Sequence, residues 1–196
     1  MFYNIVEGAN CLIVPKDMDT IRSEVKEFFL KRGETFYHKM TKDGFLRHLI
    51  VRHSVFYDEY MVNLVTTSVH PLDEEFKEFL LSLNDNLKGK ITTIYHTIND
   101  SLSDAVVPEK LILLYGPGFL RERLFDLDFN VGPFSFFQTN STAAEELYSY
   151  VKDHLKKTGV LWDLYAGSAV IGQVLSDMAS EVISVEINPE LSLIHI

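Results

Sequence analysis

VLWDLYAGSAVIGQVLSDMASEVISVEI, residues 160–187, decides how this chain is read. Two apolar runs, VLWDLY and EVISVEI, flank the small-residue turn AGSA and a helical stretch that starts near Val170. Near-continuous apolar strands are the mark of a parallel sheet covered by helices on both faces. The stretch therefore predicts a parallel β-α-β unit. In such sheets ligands bind at the carboxyl ends of the strands. The tight turn brings backbone amides to the cofactor, and an acid about twenty residues on takes the ribose hydroxyls. Asp163 and Gly167 occupy the strand end and the turn, and Glu186 closes the second strand. Ala169 stands where a dinucleotide turn usually has its middle glycine, and its methyl restricts φ and close approach. A cofactor without a pyrophosphate, such as S-adenosylmethionine, makes lighter demands there. An ordinary tight turn followed by an exposed strand-end glutamate has the same spacing.

Just upstream, GPFSFFQTNSTAAEELYSYVKDHLKKTG (132–159) carries Phe134, Phe136 and Phe137 into Gln138. An amide flanked by aromatic rings needs partners if it is buried. The helix that follows is expected to start on a capping box of Thr142 and Glu145 and to close at Gly159. Its apolar stripe would be Leu147, Val151 and Leu155.

The first hundred residues alternate elements in the order βαββαβ. CLIV (11–14) reads as a strand, and Ile21, Val25 and Phe28 mark a helix. GFLRHLIVRH (44–53) and EYMVNLVTT (59–67) form a hairpin. Leu72, Phe76, Phe79, Leu80 and Leu83 line a second helix, and KITTIYHTIN (90–99) is a further strand. That order predicts the split β-α-β, or ferredoxin-like, arrangement. LILLYG (111–116) and LFDLDFNVG (124–132) add two strands. The fold class is therefore α/β. A ferredoxin-like α+β domain over residues 1–130 precedes the first β-α-β of a Rossmann-like domain over 131–190.

The composition, 46% hydrophobic in 196 residues, suits a folded chain with a real core. No run approaches eighteen apolar residues, so no membrane span is indicated. MFYNIVEGAN lacks the basic and apolar regions of a signal peptide. One cysteine, Cys11, excludes an internal disulfide and fits a reducing compartment, so a cytoplasmic location is expected. A net charge of −10 weighs against a nucleic-acid partner, because phosphate contacts favour a basic surface. Arg47 and Arg52 either face RNA or occupy solvated strand positions.

Taken together, PFSFFQTN, the ELY helix, LWDLYAGSAVIG and VISVEI resemble the RNA (uracil-5-)-methyltransferases of the RlmD/RumA/TrmA type. GFLRHLIVR and CLIVPKDMDTIRSEVKEF resemble that family's central domain, so the likeness runs from Asn4 to Glu190. The resemblance implies S-adenosylmethionine contacts from Gln138, Tyr165 and Glu186, with Asp163 and Gly167 shaping the pocket. The family turn reads L-Y/F-C-G-x-G, from which Ala166 and Ala169 depart. Cys11 matches the fourth ligand of a [4Fe–4S] cluster in some members, in the full-length parent only; a free thiol is expected in this chain. Because Cys11 matches the cluster-bearing members, the resemblance implies C5 methylation of uridine in 23S ribosomal RNA, with transfer RNA as the alternative.

A family cysteine adds to C6 of the uracil, C5 takes the methyl group, and a base removes the C5 proton. Both groups are expected beyond residue 190, so no catalytic residue is assigned here and the chain alone is expected to be an inactive monomer. LSLIHI (191–196) equals the translation of CTG TCT CTT ATA CAC ATC, a transposase end used in library preparation, and reads as a non-native tail. A non-catalytic RNA-binding remnant is the competing reading; it predicts RNA binding without the cofactor.

Overall fold

The apolar spacing of Ile21, Val25, Phe28 and Phe29 is realised in helix α1 (Lys16–Lys31), which buries all four. The computed structural model describes residues 11–103 and 105–187. Within it the chain forms two compact units, one of residues 11–53 and 60–118, the other of 54–59 and 119–187. Among the described residues, no helix is long and apolar enough to cross a membrane.

In the first unit, strands β1 (Leu46–Ser54), β2 (Glu59–Thr66), β3 (Lys90–Ile98) and β4 (Lys110–Tyr115) form one sheet in that order. Helix α1 and helix α2 (Glu75–Ser82) pack on it, joining Phe28, Phe29, Phe76 and Leu80 to Leu46, Tyr60, Val62, Leu64, Ile91 and Ile94. Asp17, buried on α1, accepts the Lys88 and Gly89 amides at 2.8 and 3.0 Å and so fixes the approach to β3. Strands β3 and β4 are antiparallel, with His96 opposite Ile112 and Ile98 opposite Lys110.

Two expectations fail here. CLIV is not a strand: residues 11–14 turn into α1, with Leu12 and Ile13 98% and 91% exposed. Four apolar residues without a partner strand have nothing to pair with. The ferredoxin-like order also fails, because a split β-α-β leaves room for a strand between its two halves. Here β2 and β3 are direct neighbours. Buried side chains seal the join: Thr97 Oγ1 donates to Asn63 Oδ1 at 2.9 Å, and Thr66 Oγ1 meets His96 Nε2 at 2.8 Å.

The second unit begins with a hairpin of β5 (Leu120–Leu124) and β6 (Leu127–Val131). The sequence suggested one strand over 124–132. Phe125 instead takes φ 53°, and Phe125–Asp126 turn the chain back on itself. Residue 130, the expected domain boundary, lies inside β6, whereas the compact units part between Gly118 and Phe119. Around the hairpin Tyr57 and Arg123 both donate to Asp128. The Arg123 bond first, then the Tyr57 hydroxyl, hold that carboxyl down at about 2.

Helix α3 (Ser141–His154) starts on Asn140, whose Oδ1 accepts the Ala143 amide at 3.0 Å. The expected Thr142–Glu145 box does not form; Glu145 accepts the Phe125 amide instead. The buried face is Ser141, Ala144 and Tyr148, while Leu147 and Val151 are exposed. The inward stripe is rotated by one residue, about 100°, from the one read in the sequence. Ser141 anchors it by donating to the buried Glu122 carboxylate at 3.0 Å. Gly159 lies inside β7 (Thr158–Leu164), after the helix has ended.

Strand β7 runs parallel to β8 (Ala179–Val185), with helix α4 (Val170–Val174) and a 3₁₀ turn between them. This is the expected β-α-β unit. Its strands are mostly exposed or half-buried, with Trp162 and Leu164 exposed and Asp163 buried. Residues 188–190 and the 191–196 tail, like residues 1–10, lie outside the described residues.

Candidate cofactor site

Strand β7 ends at Leu164 and the next five residues reverse the chain into α4. Three of them, Tyr165, Gly167 and Ala169, sit at φ 58°, 55° and 54°, in the left-handed region. Alternation of left-handed residues turns successive amides toward one side, the geometry backbone uses to receive a polar or anionic group. The Ala166 amide donates to the Val185 carbonyl at 3.0 Å, tying the turn to the end of β8. The Gly167 amide donates to Glu186 Oε2 at 2.8 Å. The strand-end acid and the turn glycine, paired by spacing alone, thus meet in space.

Asp163 fills the space beneath. It is buried, and its Oδ2 accepts the Gly172 amide at 3.0 Å and lies 3.5 Å from Ser184 Oγ. Gly172 is needed there: a Cβ on it would come within 2.8 Å of Asp163 Oδ2 and 2.9 Å of Ser184 Oγ. The glycine lets α4 close on both strands, and Asp163 acts as the anchor of the turn.

Gln138 is exposed on the loop before α3, so the buried amide suggested by its aromatic flank is not found. Its side chain bonds to Tyr148, a buried residue of α3. Burial raises the Tyr148 phenol pKa, the Gln138 bond draws it back, and the nearby Asp163 charge raises it. Tyr148 therefore relates Gln138 to the Asp163 end of β7. In the sequence this tyrosine figured only as the last letter of the ELY helix.

Tyr165 is 90% exposed, with its ring in solvent beside the turn. Two further polar atoms were invisible in the sequence: Ser168 Oγ and Gln173 Oε1 are buried with no partner. Orphaned buried acceptors and hydroxyls call for a bound group or water. In front of Gly167 nothing lies within 4 Å of where a Cβ would be. Open space before the turn, a strand-end carboxylate and unpaired polar atoms behind it fit an adenosine-type cofactor. The fit does not extend to an iron–sulfur cluster. Cys11 is one exposed thiol in the first unit, and among the described residues no three His, Cys, Asp or Glu side chains are grouped for a metal. Such a cluster needs four thiolates. Arg47 is not poised for RNA either, since it donates to the carbonyls of Asn99, Ser101 and Ser103.

No family model matches the chain. It is 40% identical over 193 residues to an uncharacterized RNA methyltransferase of Clostridium tetani, covering 97% of this chain and 42% of that protein. It is 38% identical over 192 residues to another, from Caldanaerobacter subterraneus subsp. tengcongensis, covering 96% and 42%. The chain thus spans about two fifths of the length of the curated relatives it matches. Among solved structures, it superposes with TM-score 0.76 and 28% identity on the Pyrococcus abyssi tRNA (uracil-54, C5)-methyltransferase in complex with S-adenosyl-L-homocysteine, over 96% of this chain and 45% of that one. The two chains share an α/β fold.

Proposed function

We propose that this chain is part of a methyltransferase that uses S-adenosylmethionine to methylate C5 of a uridine in RNA. The observation that carries the reading is the Gly167 amide held by the Glu186 carboxylate across the parallel β7–β8 pair. Glu186 would orient the ribose hydroxyls, Tyr165 would lie along the adenosine, and Asp163 and Gly167 would set the turn. Gln138, through Tyr148, would close the loop side. When bound, the cofactor supplies the methyl group. No cysteine of this chain lies in the second unit, so its residues bind and orient and none is assigned as the nucleophile.

The likeness to the Pyrococcus abyssi tRNA enzyme favours transfer RNA as the substrate. The ribosomal reading rested on Cys11 as a cluster ligand in the full-length parent, with its other ligands outside this chain. The test is calorimetric titration of the chain with S-adenosylhomocysteine and with its 2′,3′-dideoxy analogue. Wild type should bind the first at least tenfold more tightly. Glu186→Gln should weaken the first and remove the discrimination. Equal binding of both ligands by wild type, or discrimination retained in Glu186→Gln, sinks the proposal.

A further inference from the structure

A second cavity lies in the first unit, away from every residue assigned above. It is a cleft of about 770 Å³ between the loop leading into α2 and the paired strands β3 and β4. That volume is within the range of sites for small ligands. The loop runs into helix α2, which has eight residues. Pro71 and Leu72 line the loop side, and Ile98 and Ile112 line the strand side.

Two polar groups distinguish this cleft from a packing defect. His96 lines it and is buried. The Thr66 hydroxyl donates to the Thr67 carbonyl at 2.9 Å, so its oxygen must accept the proton that His96 Nε2 offers at 2.8 Å. That fixes the tautomer and leaves Nδ1 a lone-pair acceptor. Burial foremost, then the charge of Lys110, lowers the His96 pKa, which keeps the ring neutral and the acceptor in place. Lys110 also lines the cleft, opposite Ile98 in the β3–β4 register, and no described acid pairs with its ammonium. The acids Asp73 and Glu74 are on the loop side, where Arg32 holds Asp73 at 2.8 Å. The unneutralised cation is on the strand side.

A ligand that satisfies these groups has a flat, largely apolar body, one N–H donor on its edge and an anionic group. The geometry points to a nucleotide, with its base between the apolar walls, a base-edge N–H on His96 Nδ1 and its phosphate on Lys110. The source is either a free nucleotide or one residue of a single RNA strand. This inference stands apart from the cofactor reading, since the two sites share no residue.

The experiment is titration of the isotope-labelled full chain with uridine 5′-monophosphate, followed by NMR at the His96 imidazole and the amides of residues 68–70, 72–77 and 110–114. Saturable shifts are expected there and not at 163–169. Uridine should bind at least tenfold more weakly, and inorganic phosphate alone should leave the imidazole signals unmoved. Lys110→Met changes an exposed residue and should cost at least tenfold in affinity for the monophosphate. His96→Phe should abolish the binding if it folds; the lysine variant decides the matter if it does not. Tighter binding of hexauridylate than of the mononucleotide assigns the site to an RNA strand, and equal binding assigns it to free nucleotide. No shift at His96, or undiminished binding by Lys110→Met, overturns the inference.

Discussion

In the first unit the rings of Phe28, Phe29, Phe76 and Phe79 make pairs with centroids 4.4 to 6.4 Å apart between two helices and a sheet. The second unit is joined around a charge instead. Glu122, buried on β5, accepts from Ser54 Oγ, the Val55, Phe56 and Arg123 amides, and Ser141 Oγ, at 2.9 to 3.3 Å. One carboxylate thus binds the 54–59 turn, the β5 strand and the start of α3. Non-directional burial tolerates small displacements, whereas a carboxylate with every donor fixed specifies one arrangement. The unit that carries the candidate cofactor site thus adds a directional frame to its buried Leu120, Leu124, Phe129 and Val131, and that suits a site whose geometry must be held.

The largest effect is therefore expected from the ring cluster. Phe76 is fully buried, and Phe76→Ala should cost about 3–5 kcal/mol of stability. The check is urea unfolding followed by far-UV circular dichroism. A loss below ~1 kcal/mol would mean that the rings do not centre the core, and the contrast between the units would fall. A smaller loss, ~2 kcal/mol, is expected from Glu122→Gln, which keeps the shape but turns an N–H₂ toward groups that are themselves donors. Hydrogen exchange should show lost protection at 54–57 and 120–131, with 60–66 unchanged. Equal loss in both regions would show that the two units unfold as one.

These contrasts also explain what the sequence could reveal. Helix α1, the β1–β2 hairpin and β3 are long and strongly patterned, so periodicity sufficed. CLIV was too short for pattern to separate strand from turn. The β5–β6 hairpin escaped because Phe125 takes a left-handed φ with no glycine or asparagine to announce it. In the candidate site, the meeting of Gly167 with Glu186 beside Asp163 was legible because a parallel β-α-β unit imposes their spacing. Tyr148 and Ser168 were not. Tyr148 stands out by its bond to Gln138 and Ser168 by a buried hydroxyl with no partner, and neither residue type nor spacing encodes that. Gln138 was singled out by its aromatic flank, yet its partner is Tyr148 of helix α3.

The smallest effect concerns Ala169. Its φ of 54° costs an L-residue about 1 kcal/mol or more, and nothing in the hydrogen bonding of the turn requires a side chain. Glycine would remove that strain but enlarge the unfolded ensemble, an opposing term of roughly 0.4–1 kcal/mol. Ala169→Gly should therefore change stability by less than about 1 kcal/mol, with a rise in Tm of about 1–2 °C as the expected sign. Its Ala166 carbonyl bond and the Gln173 amide bond to its own carbonyl would both persist. If the turn is preorganised by its backbone, S-adenosylhomocysteine affinity should be equal to or better than that of wild type. Weaker binding with raised stability would show that the methyl itself shapes the turn. The strain at Ala169 would then belong to the site, in the same way that Glu122 belongs to the frame around it.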